Sequence, residues 1–158
     1  MWEENPVSSI ERFVAAQQWE FQRVEENELT CVIDGRLTCY QLNFSWMPAI
    51  DTLHLACAFD MKVPEQRRGE VRQLVALINE HLWIGHFDVW KSEGLVMFRH
   101  GSLLPGHAAV SDSLSEALIT RAVDTCEQYF AAFQFVVWAG KTAEEALRAT
   151  QFETKGEA

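Results

Sequence analysis

Two hydrophobic periods divide the chain. After Asn5-Pro6, Val7, Ile10, Phe13 and Val14 recur at helical spacing, which predicts a helix through about Gln17, because proline is tolerated at the first helical position. From Trp19 the period falls to two, with Trp19, Phe21 and Arg23 on one side of a first strand that runs to the turn at Glu26-Asn27. Residues 29–33 and 37–46 predict two further strands joined at Asp34-Gly35-Arg36. Leu29, Cys31 and Ile33 share one face, and Tyr40, Leu42, Phe44 and Trp46 share another. Matching the faces pairs Ile33 with Thr38 and Cys31 with Tyr40, and sends Cys31 and Cys39 to opposite sides. Leu53, Leu55, Cys57 and Phe59 alternate with His54, Ala56, Ala58 and Asp60 in a fourth strand, so the first half reads as an antiparallel meander.

Pro64 opens a second helix, whose stripe of Val71, Leu74, Val75, Ile78 and Leu82 ends at Gly85. Residues 87–90 and 95–100 follow as a hairpin around Lys91-Ser92-Glu93-Gly94. Ser113, with Glu116 three residues on, matches a capping box and opens a long helix. In residues 129–139 of that helix only Gln134 is clearly polar, so this stretch must be covered on more than one side. Gly140 closes it. Thr142 with Glu145 caps a short final helix to about Ala149, and a polar tail from about residue 151 is expected to fray. The order is α-ββββ-α-ββ-α-α, an α+β fold. At 158 residues the chain is read as one domain, 1–158.

Charge narrows the partners. Thirteen Lys+Arg against twenty-three Asp+Glu give −10, a field that opposes nucleic acid and anionic membranes. Met1-Trp2-Glu3-Glu4 lacks the basic start and apolar region of a secretory signal, and no apolar run approaches about 18 residues, so a cytoplasmic protein is expected. The four cysteines form no CxxC pair and the histidines have no metal-ligand spacing, so neither disulfide, zinc nor other cofactor is expected.

Candidate chemistry has simpler explanations. Gly140-Lys141-Thr142 resembles the end of a phosphate-binding loop, but Phe135 stands where that motif needs glycine; a helix stop followed by a helix cap accounts for all three residues. His107, Ser111 and Asp112 are conceivable as a triad, yet Ser-Asp before a helix is ordinary capping chemistry. Asp88 and Glu93 flank a hairpin turn, and the cysteines fall mainly on apolar faces, where inert thiols are the default. What remains is an aromatic surplus near Phe44-Ser45-Trp46-Met47 and in residues 129–138. The chain's own core accounts for most of it, while the helix that is apolar all round points to a subunit or partner interface, with Trp46, Met47, Phe130, Phe133, Val137 and Trp138 as its candidates.

Ile78-Asn79-Glu80-His81-Leu82-Trp83-Ile84-Gly85-His86-Phe87-Asp88, Gly94-Leu95-Val96-Met97-Phe98-Arg99, Leu103-Leu104-Pro105-Gly106 and Phe133-Gln134-Phe135-Val136-Val137-Trp138-Ala139-Gly140-Lys141 resemble the YbjN family of bacterial sensory transduction regulators, in the version found in alphaproteobacteria. The resemblance implies a fold similar to type III secretion chaperones, with helices on one face of an antiparallel sheet, frequently as homodimers. It brings no catalytic residues. Two readings follow. One is a non-enzymatic, homodimeric regulator or chaperone-like protein that binds an unidentified protein. The other is a small-molecule sensor or cryptic enzyme, with a pocket between the sheet and the long helix that includes a histidine such as His54 or His100.

Overall fold

The computed structural model describes residues 4–107 and 109–156, without the side chains of His107 and of residues 152–156. The expected N-terminal stretch Met1-Trp2-Glu3 and the last two residues of the tail lie outside them. Helix α1 (Pro6–Ala16) is capped by Asn5, whose side chain accepts from the Val7 N–H. Strands β1 (Glu20–Glu25), β2 (Glu28–Asp34), β3 (Cys39–Met47) and β4 (Thr52–Lys62) form the meander. Helix α2 (Arg68–Asn79), the hairpin β5 (His86–Trp90) and β6 (Leu95–Leu103), and helices α3 (Asp112–Val137) and α4 (Ala143–Gly156) complete the order. The six strands form one antiparallel sheet, β1-β2-β3-β4-β6-β5, so the second hairpin inserts β6 beside the long central β4.

Period-two alternation sends Leu29, Leu42, Phe44, Leu55, Cys57, Phe59 and Phe98 to one buried face. There α1 covers β1 to β3, α2 lies against β5, and α3 crosses β4 and β6. The α3 segment that is apolar all round is absorbed within the chain: the sheet lies beneath it, and α1, α2 and α4 also pack against α3. The start of α2 ties that arrangement down. Arg67 Nε donates to the Val136 carbonyl at 2.9 Å and Nη2 to the Lys141 carbonyl at 2.6 Å, placing a cation at the C-terminus of α3 and on the turn that follows it. Glu70 accepts the Ala143 N–H at 2.9 Å, an anion at the N-terminus of α4.

Four sequence expectations are corrected here. The β2–β3 register is two residues wider than expected, with Ile33 opposite Tyr40 and Cys31 opposite Leu42. Faces are unchanged, because a shift of two conserves the side-chain alternation. The wider loop is held from a distance: the Glu127 carboxylate accepts from Arg36 N–H at 2.8 Å, Leu37 N–H at 3.2 Å and Tyr40 O–H at 2.9 Å. Helix α2 ends at Asn79, leaving Leu82 outside it. The Asn79 carboxamide instead bonds both backbone groups of Phe87, accepting from N–H at 2.8 Å and donating to C=O at 3.1 Å. Gly85, at φ +70°, turns the chain into β5, where a Cβ would run into the Phe98 ring and the Arg99 carbonyl. The cap of α3 is Ser111 rather than Ser113, its hydroxyl accepting from Leu114 N–H at 3.0 Å. The final helix continues past Ala149 to Gly156.

Candidate functional site

Four of the six proposed interface residues lie in the interior of the chain: Trp46, Phe130, Phe133 and Val137 are buried. Phe133 and Phe130 each stand 5.5 Å from Phe59, centroid to centroid. Met47 and Trp138 are 54% and 63% exposed, Trp138 resting edge-on against Phe130. The two groups are not brought together. Trp46 pairs with Leu53 near the start of β4, and the α3 cluster packs on Phe59, six residues or about 20 Å along that strand.

The anticipated cleft between sheet and long helix does exist, at the first half of α3. A groove of about 400 Å³ is lined by Ile84, Phe98, His100, Ser102, Leu114 and Leu118, with Arg121 at its side. Burial, and next the neighbouring His86, lower the His100 pKa, which keeps the imidazole neutral. Ile84 is half-exposed and its neighbour Trp83 is fully exposed. Sequence reasoning passed over both as part of a helix end; the apolar pair beside Gly85 was the available signal.

His54, the other histidine considered for that cleft, projects from the opposite face of the sheet. Its Nε2 accepts from Arg99 Nε at 3.1 Å, so the neutral ring carries its proton on Nδ1, and Arg99 Nη1 reaches Asp88 at 3.3 Å. Burial first, then the charges of Arg99, His86 and His100, lower the His54 pKa. A depressed histidine pKa means that the unfolded chain binds the proton more readily. Stability therefore declines as pH falls below the ordinary value of 6.5. Melting temperatures measured between pH 7.5 and 5.5 are expected to fall, and His54→Gln with His100→Gln to flatten the slope. An unchanged slope would remove these rings as its source.

The remaining candidates have structural partners. Thr142 and Glu145 form the expected reciprocal cap, with Glu145 N–H donating to Thr142 Oγ1 at 3.2 Å and that hydroxyl donating to Oε1 at 2.9 Å. Ser111 is committed to its helix, and the His107 side chain lies outside the described residues. Asp88 accepts from Val89 N–H at 2.8 Å, and Glu93 lies exposed in the hairpin turn. The thiols of Cys57 and Cys126 sit 3.8 Å apart in the core; the bond to Cys57 and burial raise the Cys126 pKa. Burial, with Cys57 nearby, pushes Cys31 up to about 12, and such thiols supply no nucleophile near neutral pH. Cys39 faces solvent on the opposite side of the sheet from Cys31 and donates to Asp34 at 2.9 Å.

Comparison with known proteins fits this picture. A family model described as "Putative bacterial sensory transduction regulator" matches residues 6–135. The solved structure "Crystal Structure of the ExsC-ExsE Complex" contains a chain similar to this one at TM-score 0.60 and 16% identity, over 81% of this chain and 94% of that one. The fold is thus the α+β, type III secretion chaperone-like architecture. The search of curated proteins returns no match. Among the described residues no helix is long and apolar enough to cross a membrane.

Proposed function

The chain belongs to the YbjN family, and on that premise we propose that it is a non-enzymatic, homodimeric cytoplasmic regulator that holds another protein in the manner of a chaperone. The groove between β6 and α3 carries the reading. Strand β5 pairs with β6 only as far as His86 opposite Arg99, while β6 runs on to Leu103. Among the described residues the end of β6 therefore lacks a strand neighbour on that side, next to an apolar groove and near Ile84 and Trp83. Leu103 is 73% exposed. An extended partner segment would add to that edge through its backbone and seat alternate side chains in the groove. The likeness to a chain from a complex of two proteins is consistent with such a role.

The full chain, tagged and isolated from its native cells, is expected to carry a near-stoichiometric protein. The Trp83→Asp/Ile84→Asp variant, which alters exposed positions, should lose that protein with its melting temperature unchanged. A variant that keeps the partner, or a wild-type chain that brings none, overturns the groove assignment. Light scattering at micromolar concentration should give a dimer that Trp138→Asp weakens; a monomeric wild type removes the homodimer. A second reading, a small-molecule sensor using the same groove, rests on the convergence of His100 and Ser102 there. Co-elution of a metabolite in place of a protein would favour it.

A further inference from the structure

The face of the sheet turned away from the helices carries a second cavity, with a different chemistry. Cross-strand partners set out its floor in rows. Thr30, Asn43, Ala56, Arg99 and His86 follow one another across β2, β3, β4, β6 and β5; Glu28, Ser45, His54 and Gly101 form the next row. Ala56 and Gly101 leave the middle low, between polar side chains on β3 and the longer Arg99 and His54. The result is a trough of about 460 Å³, bordered at opposite edge strands by Val24 and Trp90. Both of these apolar side chains are about half-exposed.

Opposite charges stand at the two sides of the trough. Glu28 lies on β2 and Arg99 on β6, three strand spacings and one two-residue step apart, or ~16 Å at the backbone. Both side chains line the trough. Arg99 spends Nε on His54 and Nη1 on Asp88, and among the described residues its Nη2 has no partner. Its pairing with Asp88 is a partly exposed ion pair of the kind that contributes little and yields readily to a competing carboxylate. Between the charges lie neutral hydrogen-bonding groups on Thr30, Gln41, Asn43 and Ser45. Among the described residues the Asn43 Oδ1 is shut off from solvent with no donor, an unfavourable state that a turn of the carboxamide toward an incoming N–H would relieve.

We infer that this trough binds a small zwitterion of dipeptide size, with its carboxylate on Arg99, its ammonium on Glu28, its peptide N–H on Asn43 and an apolar side chain against Trp90. A net-neutral ligand also avoids the repulsion that the chain's charge of −10 imposes on anions. The site is separate from the β6–α3 groove, so it stands whether or not that groove holds a protein.

The probe is alanyl-phenylalanine, titrated into the full ¹⁵N-labelled chain. Saturable shifts are expected at the amides of Ala56 and Gly101 and at the Arg99 Nε–H, together with quenching of Trp90 fluorescence. N-acetylation or C-terminal amidation of the probe should each weaken binding at least tenfold. Arg99→Gln and Glu28→Gln should mirror the loss of the carboxylate and the ammonium respectively. Ala56→Leu, which fills the floor without changing a charge, should abolish the shifts in a chain whose melting temperature confirms that it is folded. No saturable shift up to the probe's solubility, equal binding of the blocked probes, or full binding by folded Ala56→Leu would each overturn the assignment.

Discussion

Phe133→Ala is expected to lower the folding stability by about 3–5 kcal/mol, the range for emptying an aromatic site in a close-packed core, with a drop in melting temperature on the order of 10 °C. Phe133 is 0% exposed, and its ring stands 5.5 Å from Phe59 and 5.3 Å from Phe87, bridging the central strand β4 and the edge strand β5. Truncation forfeits the transfer energy of the ring. It also leaves a void that neighbours locked in both sheet and helix close only in part. Denaturant unfolding of variant and wild type at several protein concentrations measures the effect. A stability difference that holds at every concentration places the residue in the chain's own core. A variant that unfolds like the wild type but fails to associate would return Phe133 to a subunit interface.

Glu127→Ala is expected to cost about 1.5–3 kcal/mol, the range for a hydrogen bond to a charged group, because it leaves the buried Tyr40 hydroxyl unpaired while the exposed Arg36 and Leu37 N–H groups turn to water. The donors are the Arg36 and Leu37 N–H groups and the Tyr40 hydroxyl, and Tyr40 is wholly buried. Burial and then the bond to Glu127 raise the Tyr40 pKa, which keeps its phenol protonated and donating. Exchange of the Arg36 and Leu37 amides should quicken as the β2–β3 loop is released. A double-mutant cycle with Tyr40→Phe should return a coupling above about 0.5 kcal/mol, the level expected of residues in one hydrogen-bond network. Additive losses would mean that Glu127 acts on the loop and the phenol separately.

These two residues also mark how far the chain could be read in advance. The sequence offers Phe133 as an interface candidate because its segment is apolar all round, and a helix on a two-layer fold usually needs one stripe. The missing fact was the covering of α3 by other helices, with Arg67 and Glu70 anchoring the turn between α3 and α4. Glu127 lies about 90 residues from the loop it holds, so no local pattern could assign it to that turn or set the β2–β3 register. The capping chemistry of Thr142 and Glu145 was legible, because it is complete within four residues.

A groove does lie between the sheet and the long helix, and one of the two histidines expected there lines it: His100 does, and His54 faces the other way. Residues 54 and 100 belong to strands whose alternation is local, but their relative faces depend on the β4–β6 pairing, which sets Leu55 opposite His100 and His54 opposite Gly101. The alternating and helical periods by themselves determined the elements, their order and the buried side of β2, β3 and β4, because those follow from backbone geometry within a few residues. Only the tertiary structure decided that β6 lies beside β4, what covers α3, where among the described residues β6 is left without a neighbour, and that Glu28 and Arg99 face one trough. These are contacts between residues far apart in the chain, made by packing that no local period encodes.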